Sequence, residues 1–306
     1  MKKFLLLIFV FFVIVFAVDR IVGKTLEYMS RNTHGGYIAH RNYILDKVTE
    51  DLLVFGSSRC VDHYNTTIMS DSLGLSTYNC GMNGNGIILF YGWWHIIKQH
   101  HKPKIIIYDI FPKVDYFSED DNHKFLGWLK DEYNRDGIPD IFESVDNTEK
   151  YKMQSYMYRY NFRFMRILTD FYHPIHHFAI NGFMAEQGIM DSTHLATNTQ
   201  KKNLIIDSLK LEYLHKFIEE TTGSKLIFTI SPIFNGFNEE TLTPIKKICK
   251  EKNIPLIDFS NDPKYVHHYM YFKDAAHLNA NGADEFTKDL VSKLKEMNLL
   301  EDLTIN

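Results

Sequence analysis

Cysteine is scarce in this chain of 306 residues, which has only Cys60, Cys80 and Cys249. These three form neither an even disulfide framework nor a C-x-x-C metal motif. We expect them to be small buried residues, and a Cys60–Cys80 bridge is the less favoured alternative because both follow predicted core strands. Cysteine chemistry therefore does not organise the predicted fold.

An excess of positive charge is also missing. The net charge of -4 and the pI near 6.4 provide no broad basic surface, so nucleic acid is not an expected partner. Histidines occur in the segment 173–177 and at His267 and His268, but they lack an H-E-x-x-H arrangement or an accompanying cysteine. We therefore expect no metal ion and no cofactor.

Hydrophobic residues make up 45% of the chain and charged residues 24%, enough to bury one sizeable core. A long apolar run, residues 4–18, follows Lys2 and Lys3 and precedes Asp19 and Arg20. The run is short for a membrane span of about 20 residues, but no A-x-A cleavage site is evident. We favour an uncleaved single-pass anchor over a cleaved signal peptide of a secreted protein.

Lysines before the run stay on the cytoplasmic side, so the rest of the chain is expected outside the bacterial cell membrane. The predicted organisation is an anchor over residues 1–23, a helical or irregular stalk over 24–50 and one domain over 51–306.

Short apolar runs alternate with helical patterns after residue 50. Strands are predicted at 51–55, 76–79, 104–110, 225–230 and 254–259, and helices at 87–101, 204–221, 239–252 and 281–297. This alternation predicts an α/β fold with a doubly wound parallel sheet of about five strands. Between residues 115 and 203 the strand pattern disappears, which predicts a helical insertion acting as a lid or substrate-binding subdomain.

Three residues can supply nucleophilic catalysis. Ser58 lies at the turn after the first predicted strand, where its hydroxyl is exposed at the start of a helix. Asp274 lies three residues before His277, so one loop can hold both and let the carboxylate orient the imidazole. The alternative is that Asp274 caps a helix and His277 lies on the surface.

These segments resemble the SGNH (GDSL-like) esterase and acyltransferase superfamily. The segment 56–59, Gly-Ser-Ser-Arg, resembles its Gly-Asp-Ser-Leu block with Ser58 as nucleophile, and 274–277 resembles its Asp-x-x-His block. The resemblance implies a flavodoxin-like sheet. In the segment 79–86, Gly84 matches the family's oxyanion glycine, while Gly81 and Asn83 are alternative or supporting members.

The third block departs from the family. Where Gly-x-Asn-Asp is usual, residues 108–113 read Tyr-Asp-Ile-Phe-Pro-Lys, and an oxyanion donor worth about two to three powers of ten in rate is missing. Asn83, Asn85 or Lys113 must replace it, or activity is reduced. Lys113 and Arg59 are the predicted substrate-binding residues. For Arg59 the alternative, which we prefer, is a structural role in which it pairs with Asp62.

The Gly-Ser-Ser start and the altered third block are more similar to the family's membrane-associated branch. That branch includes alginate O-acetyltransferase-like proteins and the D-alanyl transfer protein. It implies acyl transfer on acylated extracytoplasmic glycans, with a membrane-bound O-acyltransferase as partner. The alternative is a weakly active or inactive glycan-binding protein. Tyr91, Trp93 and Trp94 can stack on sugars, but core packing is expected for most of them.

Overall fold

The structure is a computed structural model that describes residues 1–118, 121–175, 180–191 and 205–299. Contacts divide it into two compact units. The helical unit comprises Met1–Tyr43 and Asn122–His177, and the sheet unit comprises Ile44–Asp121 and Phe178–Asn306. The structure thus groups residues 24–43, from the predicted stalk, with much of the segment 115–203 that was predicted to be an insertion. The predicted bounds of the anchor, the stalk and the domain stay a prediction.

The strands are β1 (Leu52–Gly56), β2 (Thr77–Asn79), β3 (Ile105–Asp109), β4 (Lys225–Ile230) and β5 (Leu256–Asp258). The α-helices are α1 (Lys2–Arg31), α2 (Gly36–Asp46), α3 (Ser58–His63), α4 (Thr66–Leu73), α5 (Ile87–Ile97), α6 (Pro112–Asp115), α7 (His123–Leu126), α8 (Ile138–Val145), α9 (Glu149–Lys152), α10 (Tyr156–Tyr160), α11 (Phe164–Tyr172), α12 (Ser208–Glu220), α13 (Glu239–Lys252) and α14 (Ala280–Glu296).

The five strands form one parallel sheet in the order β2-β1-β3-β4-β5. In its register Val54 of β1 pairs with Asn79 of β2 and with Ile107 of β3. The predicted doubly wound fold is confirmed, and this strand order is the flavodoxin-like one. In such sheets ligands bind outside the carboxyl ends of the strands, near the point where strand order reverses beside β1 and β3.

Both faces of the sheet are covered because successive strand side chains point to opposite sides. Leu52 and Val54 belong to a buried cluster that includes Phe286 and Leu290 of α14. On the other face, the ring of Phe55 lies 6.2 Å from Phe90 of α5 and 5.9 Å from Phe217 of α12. The central strands β1 and β3 are buried along their whole length, which explains why their sequences are apolar runs.

Several smaller expectations are also confirmed. Cys60, Cys80 and Cys249 are buried and free, so the alternative Cys60–Cys80 bridge does not form. All three aromatic residues of α5 that were considered for sugar stacking are buried: Tyr91, Trp93 and Trp94. They contribute to the core of the sheet unit.

The helical unit begins with α1, whose most apolar stretch has a mean hydropathy of 2.8 with none of that stretch buried. This long apolar N-terminal helix is consistent with a single-pass membrane anchor or a signal sequence. The helix continues without a break through residues 24–31, the first part of the predicted stalk. Its second half packs on α10 and α11, with Leu26, Met29 and Ile167 in a small shared core.

A buried ionic network holds the helical unit together. Nη1 of Arg41 lies 2.6 Å from Oδ2 of Asp131, and Arg163 also binds Asp131. Arg31 and Arg135 bind Glu132 at 2.8 and 2.6 Å. Removing one partner of a buried ion pair costs about 3–5 kcal/mol because the other charge remains buried. These pairs thus tie the end of α1 and α2 to the inserted helices.

Candidate active site

The turn after β1 exposes Ser58 at the start of α3. Gly56, the last residue of β1, has a φ of +151°, and a Cβ atom there would lie 2.9 Å from Cβ of Cys60 and 3.0 Å from the carbonyl oxygen of Asp109. Only glycine fits such a crowded turn. The backbone therefore reverses sharply enough to place Ser58 at the carboxyl edge of the sheet.

Ser58 and His277 are in direct contact, although 219 positions separate them in sequence. Oγ of Ser58 lies 2.7 Å from Nε2 of His277, and Nδ1 of His277 lies 2.9 Å from both carboxylate oxygens of Asp274. Since a carboxylate only accepts, Nδ1 carries the proton that it donates. Nε2 is then free to accept the serine proton.

The carboxylate of Asp274 also shapes its own loop. Its Oδ1 accepts hydrogen bonds from the backbone N–H groups of Ala276 and His277, at 2.8 and 3.0 Å. The cap of α14 is a different residue, Asn279, whose side chain accepts from the N–H of Gly282. The alternative interpretation of Asp274 as a helix cap beside a surface histidine is therefore wrong.

Electrostatics favour the protonated form of His277. Burial lowers the pKa of this imidazole, but the hydrogen bond and negative charge of Asp274, aided by Asp62, outweigh it, so the pKa is raised above 6.5. Burial raises the pKa of Asp274, yet its bonds to His277 and Ala276 bring it below the ordinary value. Each partner thus stabilises the charge of the other.

Asp62 is a second carboxyl group near His277, besides Asp274. It lies on α3, is 2% exposed, and its Oδ1 has no hydrogen-bond partner within the described part of the chain. Burial raises its pKa to about 7, which the charge of His277 partly opposes. The carboxyl therefore changes ionisation in the same pH range as an ordinary histidine.

His63 is a buried residue of this site that sequence analysis missed. Its Nε2 accepts from the backbone N–H of Leu278 at 2.9 Å, and its Nδ1 lies 3.0 Å from Oγ of Ser231, to which it donates. Burial and the charge of Arg59 hold its pKa well below 6.5, so the ring is neutral. His63 thereby ties the loop of His277 to the helix that begins at Ser58.

The pairing predicted for Arg59 with Asp62 is wrong. Arg59 is fully buried, and its Nη2 donates to the carbonyl oxygen of Ile110 at 2.8 Å and lies 3.3 Å from Oδ2 of Asp109. Its guanidinium also lies 4.7 Å from the ring centre of Phe111. Arg59 neutralises a buried carboxylate, which supports the structural role that sequence analysis preferred.

Asp109, at the end of β3, connects this network. It accepts from the hydroxyl of Tyr64 at 2.8 Å and from the backbone N–H and hydroxyl of Ser231 at 2.8 and 3.2 Å. A sequence signal was available for both: Asp109 lies near the end of the strand predicted at 104–110, and Ser231 directly follows the strand predicted at 225–230. Side chains at these strand ends meet at one edge of the sheet. Asp109 thus lies at the strand end within the segment 108–113, which contains no asparagine.

The glycine-rich turn after β2 lies beside the turn after β1 that holds Ser58. The N–H of Met82 donates to the carbonyl oxygen of Gly56 at 3.1 Å, which joins the two turns directly. Gly84 is exposed in this turn with a φ of +71°, and Asn83 beside it is exposed as well. Gly81 is buried, and its N–H donates to Oδ1 of Asn79. Gly84 is therefore better placed than Gly81 for the predicted oxyanion role.

Two residues considered as replacements for the missing donor are positioned differently. Asn85 is nearly buried and donates from Nδ2 to the carbonyl oxygen of Asn83 at 2.9 Å. Lys113 is half-buried on α6, just beyond the carboxyl end of β3. The geometry thus leaves Lys113 as a predicted substrate-binding residue and gives Asn85 a local structural bond.

One cluster of described residues could hold a metal ion, although the sequence predicted no metal site. Among the described residues, His123, Asp146 and Glu149 lie close enough to share an ion. Nζ of Lys152 lies 2.9 Å from Oδ2 of Asp146 and 2.8 Å from Oε1 of Glu149, so an ammonium group already pairs with both carboxylates of this cluster. His173, His267 and His268 do not belong to it, and His176 and His177 lie outside the described residues.

No family model matches this chain, and no curated protein matches it. One solved structure that matches is a gut microbial diltiazem-metabolizing enzyme, with 10% sequence identity and a TM-score of 0.38. The match covers 80% of this chain and 46% of the other, so this chain spans about half the length of that protein. This neighbour is an enzyme, and so weak a likeness says nothing further about activity here.

Proposed function

We propose that this chain is a serine esterase or O-acyltransferase of SGNH type that acts through an acyl-enzyme on Ser58. The observation that carries the proposal is the continuous chain from Oγ of Ser58 through the imidazole of His277 to the carboxylate of Asp274. A binding protein gains nothing from this connected arrangement, whereas nucleophilic catalysis needs all three members.

The reaction follows from the atoms in place. As Oγ of Ser58 bonds to the carbonyl carbon of an ester, its proton passes to Nε2 of His277. The tetrahedral intermediate then expels the alcohol, which takes that proton as the carbon–oxygen bond breaks. Water or a sugar hydroxyl next gives its proton to Nε2 and attacks the acyl-enzyme. Ser58 regains a proton as it leaves.

The oxyanion is held by backbone N–H groups in this proposal. Those of Ser58 and Gly84 are assigned because the two turns are joined through Met82 and Gly56. The family's asparagine has no counterpart here, because Asp109 is buried at the corresponding strand end and accepts hydrogen bonds. We therefore expect slower hydrolysis than in family members that have this donor.

The proposed substrate is an acylated surface glycan, and the proposed location is the outer face of a bacterial membrane. Support for the location comes from Lys2 and Lys3 before the apolar part of α1, which orient a span with its N-terminus in the cytoplasm. Support for the glycan comes from the resemblance to the membrane-associated SGNH branch. A membrane-bound O-acyltransferase is the proposed partner on the same grounds.

A fluorophosphonate probe tests the nucleophile. The full chain in detergent should be labelled once, on Ser58, because its hydroxyl faces Nε2 of His277, which can take its proton. The hydroxyl of Ser231 also lies beside an imidazole, but His63 donates to it and so cannot act as its base. Ser58→Ala and His277→Ala should abolish labelling. Ser57→Ala is the matched control and should keep it, since Ser57 is a buried neighbour whose side chain makes no capping bond to α3.

Labelling that persists in Ser58→Ala would contradict the assignment. If the folded wild-type chain is not labelled at all, the glycan-binding alternative is favoured, and the buried Asp109 in place of an oxyanion donor explains the inactivity. Short-chain chromogenic esters and acetylated oligosaccharides then distinguish hydrolysis from transfer, because only transfer yields an acylated sugar acceptor.

A further inference from the structure

The helical unit exposes apolar side chains beside the apolar helix α1. Phe162 is 66% exposed and Met165 is 67% exposed, and Met157 and Phe164 are also on the surface. All four lie on or between α10 and α11, both of which pack on α1. Large exposed apolar groups that lie this close together along the chain are characteristic of an interaction surface.

Asp19, which directly follows the apolar run, determines where along α1 the helix α10 begins. Its carboxylate accepts from the backbone N–H groups of Tyr156 and Met157, both at 3.0 Å, and from the hydroxyl of Ser155. Asp19 therefore caps α10, so α10 begins at the level where the apolar part of α1 ends.

The charges at this level are covered by protein. The guanidinium of Arg20 lies 4.7 Å from the ring centre of Phe16 and 4.4 Å from that of Tyr156, and it lies 3.8 Å from Asp19. Ile21, beyond this pair, is again 67% exposed. Paired and covered charges with apolar surface on both sides suit the interface between lipid headgroups and acyl chains.

The length of the apolar run gives a second, independent argument. Residues 4–18 extend about 22 Å as a helix, whereas the hydrocarbon core of a bilayer is about 30 Å thick. A short span needs bilayer thinning or flanking residues that extend the apolar surface. Exposed apolar side chains on the two helices that pack on α1, of which α10 begins at Asp19, supply this extension.

We propose that Met157, Phe162, Phe164 and Met165 form a collar that enters the headgroup and acyl boundary of the outer leaflet. The occupant of this surface is thus the lipid bilayer. The proposal rests on the membrane placement of α1 proposed above. The collar goes beyond that placement, because it puts the helical unit at the surface of the bilayer, whereas a stalk would hold it in water.

Spin-label accessibility tests the collar. The native cysteines are all buried, so single cysteines introduced by Phe164→Cys and Met165→Cys in the full chain can be labelled selectively. The labelled protein is reconstituted into phosphatidylcholine–phosphatidylglycerol vesicles. Phe12→Cys, in the apolar run, is the lipid control, and Glu143→Cys, exposed on α8, is the polar control.

Labels at Phe164 and Met165 should collide more often with oxygen, and several-fold less often with a water-soluble nickel chelate, than the label at Glu143. The collar would be wrong, but the membrane placement of α1 would stand, if the labels at Phe164 and Met165 collided with both reagents as often as the label at Glu143 while the label at Phe12 behaved as lipid-exposed. Low collision with both reagents would place the patch in a protein contact with a second copy and would also overturn it. An aqueous label at Phe12 would reject the membrane placement, and the collar with it.

Discussion

The imidazole of His63 accepts a hydrogen bond from the backbone N–H of Leu278 over 2.9 Å. His63 belongs to α3, which starts at Ser58, and Leu278 follows His277 directly. One buried hydrogen bond thus links the two segments that hold Ser58 and His277 together. Because His63 also donates to Ser231, the end of β4 is tied to the same point.

We predict that His63→Phe slows the labelling of Ser58 even when the rate is expressed per folded molecule. The variant leaves the N–H of Leu278 buried without an acceptor, which costs about 1–3 kcal/mol in the free energy of unfolding. The loop of His277 then loses its fixed position, so the rate of fluorophosphonate labelling per folded molecule should fall. Ser231→Ala, which keeps the acceptor at Nε2, is the matched control and should label faster than His63→Phe. Equal labelling rates for wild type and His63→Phe would make His63 purely structural.

Asp274→Asn should fold and lose turnover. An asparagine oxygen can still accept from the N–H groups of Ala276 and His277, so the loop keeps its shape, but the side chain no longer fixes the productive tautomer of His277. Turnover should fall by about four powers of ten. Thermal unfolding with ester hydrolysis measures both effects. An unfolded variant, or one with unchanged specific activity, would contradict the role of Asp274 as the orienting group.

The pH dependence should follow the raised pKa of His277. Only the neutral imidazole is a base, so kcat/KM should rise with pH through a pKa above 6.5. Asp62→Asn removes one negative charge that favours the imidazolium and should move this rise to lower pH. Asp274→Asn should move it further, since Asp274 makes the larger contribution. Movement to higher pH in either variant would refute this account.

The same pKa shifts predict opposite effects on stability. The raised pKa of His277 means that its contribution is present below the unfolded value and is lost as pH rises through the folded value. The lowered pKa of Asp274 means that its contribution is present above the unfolded value and is lost in acid. Chemical denaturation between pH 3 and 9 should show both trends in wild type and a weaker form of each in Asp274→Ala. That variant lacks the pair but keeps other carboxylates with lowered pKa values, such as Asp51 and Asp131.

Arg59→Met should destabilise the sheet unit without raising the KM of the molecules that stay folded. The substitution leaves the carboxylate of Asp109 buried without its cation, at a cost of about 3–5 kcal/mol. Adding Asp109→Asn removes the unpaired charge and should recover part of the stability. If Arg59 held substrate, as first predicted beside its structural role, KM would rise while stability changed little.

Gly84 and Gly86, both in the segment 79–86, provide a matched pair of substitutions. An added Cβ at Gly84 meets nothing within 4 Å, so Gly84→Ala should cost only the strain of its positive φ, about 1–2 kcal/mol, and keep the N–H in place. At Gly86 the added Cβ would lie 2.3 Å from the carbonyl oxygen of Val114, so Gly86→Ala must displace the turn. Ester hydrolysis per folded molecule should fall more in Gly86→Ala. The reverse order would remove the basis for assigning the oxyanion to this turn.

Features that depend on neighbours in sequence could be predicted. The alternation of short strand patterns with helical patterns predicted all five strands of the sheet, and the central strands β1 and β3 are the apolar runs expected of buried parallel strands. The order of a doubly wound sheet brings the carboxyl ends of its strands to one edge. Asp274 and His277 are three residues apart, so one loop holds both. The turn at Gly56 and Ser58 follows the first strand directly.

Only the tertiary structure decided which distant side chains meet behind that edge. The partner of Arg59 is Asp109 instead of the nearby Asp62, because the fully buried guanidinium needs the one carboxylate at the end of the adjacent strand. His63 was an unremarkable helix residue in the sequence, and its role exists only because Leu278 and Ser231 are brought to it. Local spacing fixes periodicity and turns, whereas buried polar groups find partners across the fold, where desolvation makes an unmade hydrogen bond costly.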